Sequence, residues 1–299
     1  MIRIGVDFGG TKIEVAALKP DGGFAARVRR PNPGDYQGAI DTVRDLVLEA
    51  ERQAGAATVG VGMPGSVSPL TGRMRNANSV WLNDKPFRQD LEHALGRHVR
   101  LENDAHCFAL SEALGGAASN AATMFGAILG TGCGGGVVVN RHGLSGANKI
   151  AGEWGHSPLP WPSAEERAAH TCWCGRSNCL ETWISGTAFT EDYQRASGQK
   201  LAGDAIVARA RGGEAAAREA LERYVDRLGR ALAVLCDFLD PDVIVLGGGM
   251  SNVDELYELT PAVIRRYVFS DVFVTEVRKA KFGDSSGVRG AAWLWPLET

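Results

Sequence analysis

Three cysteines within eight residues, Cys172, Cys174 and Cys179, follow a histidine, His156, and the four together offer three thiolates and one imidazole. This is a Cys3His set for tetrahedral zinc, and a closed set of four leaves no position for water, so the metal it implies is structural. A reducing compartment favours that reading over disulfides. Three unrelated buried cysteines are the alternative, disfavoured because so short a loop cannot easily bury three thiols. Glu153 precedes His156 and Glu181 follows Cys179; each is either a surface acid or a polar group held in place by a metal-fixed loop.

Glycine-rich turns form a second group: Asp7-Phe8-Gly9-Gly10-Thr11-Lys12, the run Gly130-Thr131-Gly132-Cys133-Gly134-Gly135-Gly136, and Gly247-Gly248-Gly249. Glycine lets backbone N–H groups approach a phosphate closely, a nest that binds anions without a helix. Thr11 adds a hydroxyl donor, Lys12 a positive charge, and Asp7 a carboxylate able to hold Mg2+ through water. Each turn alone reads equally as a tight hairpin; three at strand ends favour phosphate. The dinucleotide template G-x-G-x-x-G is met at Gly60 to Gly65 and at Gly130 to Gly135, but a loop follows the first and a strand the second, where the fingerprint requires a helix. No G-x-x-x-x-G-K-[ST] loop occurs. In Glu102-Asn103-Asp104-Ala105, Asp104 stands between a strand and an amphipathic helix, either as a helix N-cap or as a carboxylate offered to a substrate at the strand end.

The elements that must carry these residues follow from periodicity. Strands are expected at Ile2 to Asp7, Lys12 to Leu18 and Phe24 to Arg30, a helix at Tyr36 to Gln53, a strand at Thr58 to Met63, then an irregular loop. A helix at Phe87 to Leu95, a strand at Val99 to Glu102 and a helix at Ala105 to Leu114 complete the first half. The pattern restarts with a strand at Met124 to Leu129, the glycine turn and a strand at Val137 to Asn140. Helices then run to Leu239, followed by strands at Asp242 to Leu246 and Val272 to Val277 and helices at Leu256 to Arg266 and Val288 to Trp295. The repeated strand, glycine turn, strand pattern predicts a duplicated α/β unit in two lobes with a cleft between the copies. The first lobe is expected over residues 1–118, completed by a C-terminal helix at 287–299, and the second over 119–286 with a zinc-binding loop at 152–181.

The chain has 299 residues, 44% hydrophobic and 22% charged, with a net charge of −3 and no Lys/Arg-rich block, which argues against a nucleic-acid partner. Strand-like residues follow Met1 directly, and no run of about 18 apolar residues occurs, so no membrane partner and a cytoplasmic location are expected.

The motifs Asp7 to Lys12, Glu102 to Ala105, Gly130 to Gly136, Gly152-Glu153-Trp154-Gly155-His156, Cys172 to Glu181 and Gly247 to Gly249 occur in the order found in the ROK (repressor, open reading frame, kinase) family, which the whole chain resembles. The resemblance implies an actin-like, hexokinase-like (ribonuclease-H-like) two-lobe fold that binds ATP and a sugar. The family's repressors carry an N-terminal helix-turn-helix region, and a first strand at Ile2 favours the kinase branch. It implies Asp104 as catalytic base and Gly65, Asn78, Asn103, Glu153, His156 and Glu181 at the sugar. Asp7, Gly9 to Lys12 and Gly130 to Gly136 would serve phosphates with Mg2+, Gly247 to Gly249 the nucleoside, and His156, Cys172, Cys174 and Cys179 zinc. A homodimer is also implied. Asn76 to Asn83, Gly155 to Trp161 and Gly283 to Trp295 are most similar to bacterial fructokinases that also accept mannose, which makes fructose the leading sugar; mannose, glucose and N-acetylglucosamine are the alternatives. A sugar sensor without catalysis is the rival from another class, and Asp104 argues against it. A zinc hydrolase is disfavoured by the closed metal set.

Overall fold

The computed structural model describes residues 1–167 and 170–296. Its elements in chain order are β1 (Arg3–Phe8), β2 (Lys12–Leu18), β3 (Phe24–Pro31), α1 (Tyr36–Ala54), β4 (Thr58–Met63), β5 (Ser66–Val67), β6 (Met74–Arg75), α2 (Phe87–Leu95), β7 (Val99–Asn103), α3 (Asp104–Leu114), β8 (Thr123–Leu129), β9 (Cys133–Val139) and β10 (His142–Gly143). There follow α4 (Glu181–Ile184), α5 (Gly186–Ser197), α6 (Gly203–Arg211), α7 (Ala215–Leu239), β11 (Val243–Gly247), α8 (Glu255–Tyr267), β12 (Glu276–Lys279) and α9 (Ser286–Ala292).

Contacts divide the chain into two compact units. One comprises Met1–Ser119, Gly136–Gly152 and the segment from Phe282; the other comprises Asn120–Gly135 and Glu153–Lys281. Residues 136–152, expected with the second lobe, therefore belong with the first unit. The expected helix at 287–299 and the loop at 152–181 include residues 297–299 and 168–169, which lie outside the described residues.

In the first unit β1 pairs antiparallel with β2 and parallel with β4, giving the sheet order β3-β2-β1-β4-β7. Alternating apolar residues set the register: Ile4, Val6 and Phe8 of β1 are buried with Val59 and Val61 of β4. The helix α1 covers this face with Ile40, Val43, Leu46, Val47 and Ala50, starts at Asp35, whose side chain accepts the Gly38 N–H, and ends at Gly55. Gly5 explains itself against α9: a Cβ there would lie 1.9 Å from the Val288 carbonyl oxygen, so only glycine lets helix and strand backbones approach this closely. The buried Glu112 of α3 accepts the Phe282 N–H at 3.2 Å and the Ser286 hydroxyl at 3.0 Å, which fixes the entry to α9.

The second sheet has the order β10-β9-β8-β11-β12, so β8 to β12 repeat, strand for strand, the order built by β1, β2, β3, β4 and β7. This is the duplication expected from the repeated glycine turns. In the second unit the long α7 buries Leu221, Tyr224, Leu228 and Leu232. Arg227 and Arg230, one turn apart on α7 and nearly fully buried, grip Glu166 at 2.7 and 2.8 Å, and Arg227 also reaches Asp192 of α5 at 3.0 Å. Buried charges are tolerated only when paired and hydrogen-bonded in this way. Arg230 additionally donates to the carbonyls of Pro160 and Trp161, so α7 fastens the segment that leads into the cysteine loop.

Several expectations shift. Cys133 to Gly136 belong to β9 and not to a turn. A short hairpin, β5 with β6, stands in the expected irregular loop. The last strand is Glu276–Lys279, while Val272 and Val274 are exposed. No described helix is long and apolar enough to cross a membrane.

Candidate functional site

The first unit gathers Asp7, the Gly9 to Lys12 turn, Gly65, Asn103 and Asp104. The turn closes with the Gly9 N–H on the Lys12 carbonyl at 3.0 Å. Asn32 occupies the other side of it: its side-chain amide donates to the Gly9 carbonyl at 2.8 Å and its N–H to the Thr11 carbonyl at 2.9 Å. The N–H groups of Gly10 and Thr11 have no hydrogen-bond partner among the described residues, and both residues are exposed. That leaves two donors open at the tip of a rigid hairpin, as an anion nest requires. Lys12 Nζ lies 3.8 Å from the buried Glu14, whose carboxylate also binds Arg27 at 2.6 Å. The Asp7 carboxyl is pushed up to about 6, chiefly by burial and then by the charges of Asp104 and Glu14, with Lys12 acting in the opposite direction. A carboxylate crowded by two others is suited to a cation.

Asn103, the last residue of β7, is the N-cap of α3: its side-chain oxygen accepts the Ala105 N–H at 2.9 Å. The capping alternative for Asp104 is thus corrected, because Asp104 occupies the first helical position, exposed, with its Oδ1 2.8 Å from the same N–H. The Asn103 amide nitrogen donates to the Gly65 carbonyl at 3.1 Å. Gly65 has φ +72°, and a Cβ on it would meet the Arg75 carbonyl oxygen at 2.3 Å, so this glycine is required by the β5–β6 hairpin as well as by its place beneath Asn103. Asn78 is exposed; in the same loop the Asn83 side chain holds both the N–H and the carbonyl of Ala77. Gly136 packs against α3, where a Cβ would lie 2.7 Å from the Ala105 carbonyl oxygen.

The second unit gathers the rest. The Gly130 carbonyl accepts the Gly186 N–H at 2.7 Å and the Thr131 carbonyl accepts the Thr187 hydroxyl at 2.9 Å, so the start of α5 braces the turn. Gly248, at φ +77°, abuts the same turn: a Cβ would fall 2.6 Å from the Leu129 carbonyl, while Gly249 faces open space. The short turn carrying Glu153 and His156 is fixed on β9 by the Trp154 indole N–H, which donates to the Gly134 carbonyl at 2.9 Å. Gly155 allows this approach, since a Cβ would lie 1.9 Å from the Cys133 carbonyl oxygen.

His156, Cys172, Cys174 and Cys179 converge, with all candidate ligand atoms within 4.8 Å of one another. Cys172 Sγ lies 3.6 Å from His156 Nδ1 and Cys174 Sγ 3.6 Å from Cys179 Sγ. Zinc–sulfur bonds of about 2.3 Å demand a tetrahedral edge of about 3.7 Å, so the four fit the ion. Burial and the neighbouring thiols push Cys179 up to about 12, a thiol that needs a cation to become thiolate at neutral pH. Glu181, on the first turn of α4, accepts the Cys133 N–H through Oε2 at 3.0 Å and the Trp173 indole N–H through Oε1 at 2.6 Å. Trp173 joins this arrangement, and its one signal in the sequence is an aromatic residue set between two metal-spaced cysteines. A cavity of about 750 Å3 elsewhere in this unit, lined by Trp161, Tyr267 and the arginines around Glu166 and Asp192, contains none of the expected site residues.

A family model described as "ROK family" matches residues 3–298. An N-acetyl-D-glucosamine kinase of Pasteurella multocida is 39% identical over 302 residues, covering 98% of this chain and 99% of its own. Among solved structures, a ROK hexokinase from Thermus thermophilus superposes with a TM-score of 0.86 at 31% identity, covering 98% of this chain and 97% of its own. A ROK family glucokinase from Streptomyces griseus, in complex with glucose and AMPPNP, gives a TM-score of 0.81 at 26% identity, covering 98% and 99%.

Proposed function

We propose, from the premise that the chain belongs to the ROK family, that it is a sugar kinase transferring the γ-phosphoryl group of ATP to a hexose hydroxyl. The observation that carries this reading is full-length similarity to sugar kinases, one of them solved with a sugar and an ATP analogue. In the reaction the hydroxyl oxygen attacks the γ-phosphorus, its proton passes to the Asp104 carboxylate, and the bond to the β-phosphate oxygen breaks to release ADP. Exposed at the head of α3, Asp104 has the accessibility the role demands.

The open N–H groups of the Gly9 to Lys12 turn and the Lys12 ammonium serve phosphate oxygens, as do Thr131 and Gly132 of the second turn. Gly134, Gly135 and Gly136 build the strand behind that turn, and Gly247 to Gly249 leave room for the nucleoside. Asp7 would hold Mg2+, and the ion would neutralise charge on the phosphates. Glu153 and Glu181 accept sugar hydroxyls, with Asn103, His156, Gly65 and Asn78 completing the set. Zinc on His156, Cys172, Cys174 and Cys179 would fix the loop that carries these ligands.

For the sugar, relatives such as the Pasteurella kinase move N-acetylglucosamine ahead of fructose, the leading sugar from sequence. Fructose stays as the second reading on the strength of the segments Asn76 to Asn83, Gly155 to Trp161 and Gly283 to Trp295. A kcat/KM panel with ATP and Mg2+ over N-acetylglucosamine, fructose, mannose and glucose decides between them. The highest value for N-acetylglucosamine is expected; turnover of none of the four would return the chain to the sensor reading.

A further inference from the structure

The geometry points to Trp173 as a positioning residue that holds Glu181 in place to receive the sugar, an inference that rests on Glu181 being a sugar ligand. Glutamate is a loose ligand by nature, because its terminal torsion is broad and a free carboxylate plane swings. Glu181 is fixed from both sides. Its Oε2 takes the Cys133 N–H at 3.0 Å and its Oε1 takes the Trp173 indole N–H at 2.6 Å. An ionised carboxylate has about four acceptor positions, so two donors fix its plane and still leave lone pairs for sugar hydroxyls.

Trp173 is itself held, and not by burial, since it is 60% exposed. It stands between Cys172 and Cys174, and its ring meets the His156 imidazole edge-on, with centroids 5.1 Å apart and planes at 81°. An exposed indole contributes little to a core, and this one makes directed contacts to His156 and Glu181 instead. The indole thereby joins the His/Cys cluster to the carboxylate at 2.6 Å, beside the longer approach of the Cys172 Sγ to the same Oε1 at 3.8 Å, and it is the stronger of the two links.

The experiment uses the zinc-loaded full-length protein and the best sugar of the panel. Trp173→Phe keeps an aromatic side chain at this position and removes the indole donor together with part of the ring. A hydrogen bond to a charged group is lost, so KM for the sugar should rise about tenfold or more, with kcat and KM for ATP within about twofold and zinc content unchanged. Glu181→Gln should raise the same KM, and the double variant should be no worse than Glu181→Gln alone, because the two changes remove one interaction. If Glu181→Gln raises KM but Trp173→Phe leaves it at the parent value, the positioning role is overturned while the site reading stands. Additive effects in the double variant, or loss of zinc from Trp173→Phe, overturn it in favour of independent or purely structural roles. An unchanged sugar KM in Glu181→Gln overturns the sugar-ligand reading and this inference with it.

Discussion

The two glycine hairpins occupy the same place in two sheets of the same strand order, yet they are built from opposite materials. The first, Gly9 to Lys12, is charged: Asp7, Lys12 and Glu14 surround it, and its two open N–H groups sit at an exposed tip. The second, Gly130 to Cys133, carries no charge of its own and is braced by neighbours, through Gly186 and Thr187 on its carbonyls and Glu181 on the Cys133 N–H. The sheet order is shared, but the turns close differently, the Gly9 N–H on the Lys12 carbonyl at 3.0 Å and the Gly130 N–H on the Gly132 carbonyl at 3.0 Å, and their side chains diverge. The first turn region is arranged to act on charge, and the second to hold geometry.

If that division is right, the largest loss must come from the charged side. Asp104→Asn retains size and hydrogen bonding, and Asn103, not Asp104, is the cap, so folding should be preserved. The expected loss is about 10²–10⁴-fold, falling on kcat with sugar binding little changed. A kcat within about threefold of the parent would show that the charged half does not supply the base.

On the geometric side, chelating the metal should raise KM for the sugar about tenfold or more while KM for ATP changes little, since the same loop bears His156 and Glu181. Metal analysis of protein purified without chelators should give about one zinc per chain. Protein free of zinc with full sugar affinity would remove the metal from the account.

A matched pair of substitutions compares the hairpins directly. Gly132→Ala places a Cβ 2.6 Å from Glu181 Oε2, so the carboxylate must move and the sugar KM should rise by about tenfold, the scale of a lost charged hydrogen bond. Gly10→Ala meets nothing closer than the Ser79 hydroxyl at 3.8 Å, so stability should be unchanged and any loss should appear in KM for ATP, where a methyl obstructs a phosphate. Equal effects of both on the sugar KM would collapse the distinction.

Much of this was legible in the sequence, and the reasons are local. Lys12–Leu18, Thr58–Met63 and Phe87–Leu95 have the expected bounds, because alternation or a helical stripe ends at a glycine or proline signal in each case. The convergence of His156, Cys172, Cys174 and Cys179 was readable because residues of rare, metal-binding type fall close together in the chain. What escaped depends on partners distant in sequence. Val272 to Val277 looks like a strand by propensity, but the strand that forms, Glu276–Lys279, has three charged residues out of four, the kind of composition that protects an edge strand. Gly136 reads as a turn residue, whereas it is a strand glycine selected by the close approach of α3. The grip of Arg227 and Arg230 on Glu166 spans more than sixty residues, beyond any local pattern.

The smallest expected effect is also the most diagnostic of the charged hairpin. Asp7 is held at about 6, above the 3.8 of an unstrained carboxyl, so between those values the folded protein keeps a proton that the unfolded chain has released. Stability from this group therefore falls as pH rises through that window, and above about pH 6 the whole penalty is present, at most about 3 kcal/mol for a shift of this size. Asp7→Asn removes the titration. Whatever constant offset the amide introduces, the melting temperature of the variant relative to the parent should rise by a few degrees between pH 4 and pH 8. Mg2+ should stabilise the parent at pH 8 and leave the variant unmoved, because a cation beside Asp7 replaces the proton as the partner of its charge. A difference between variant and parent that is flat with pH would mean that Asp7 ionises without cost, and the first hairpin would lose the charge crowding that sets it apart from the second.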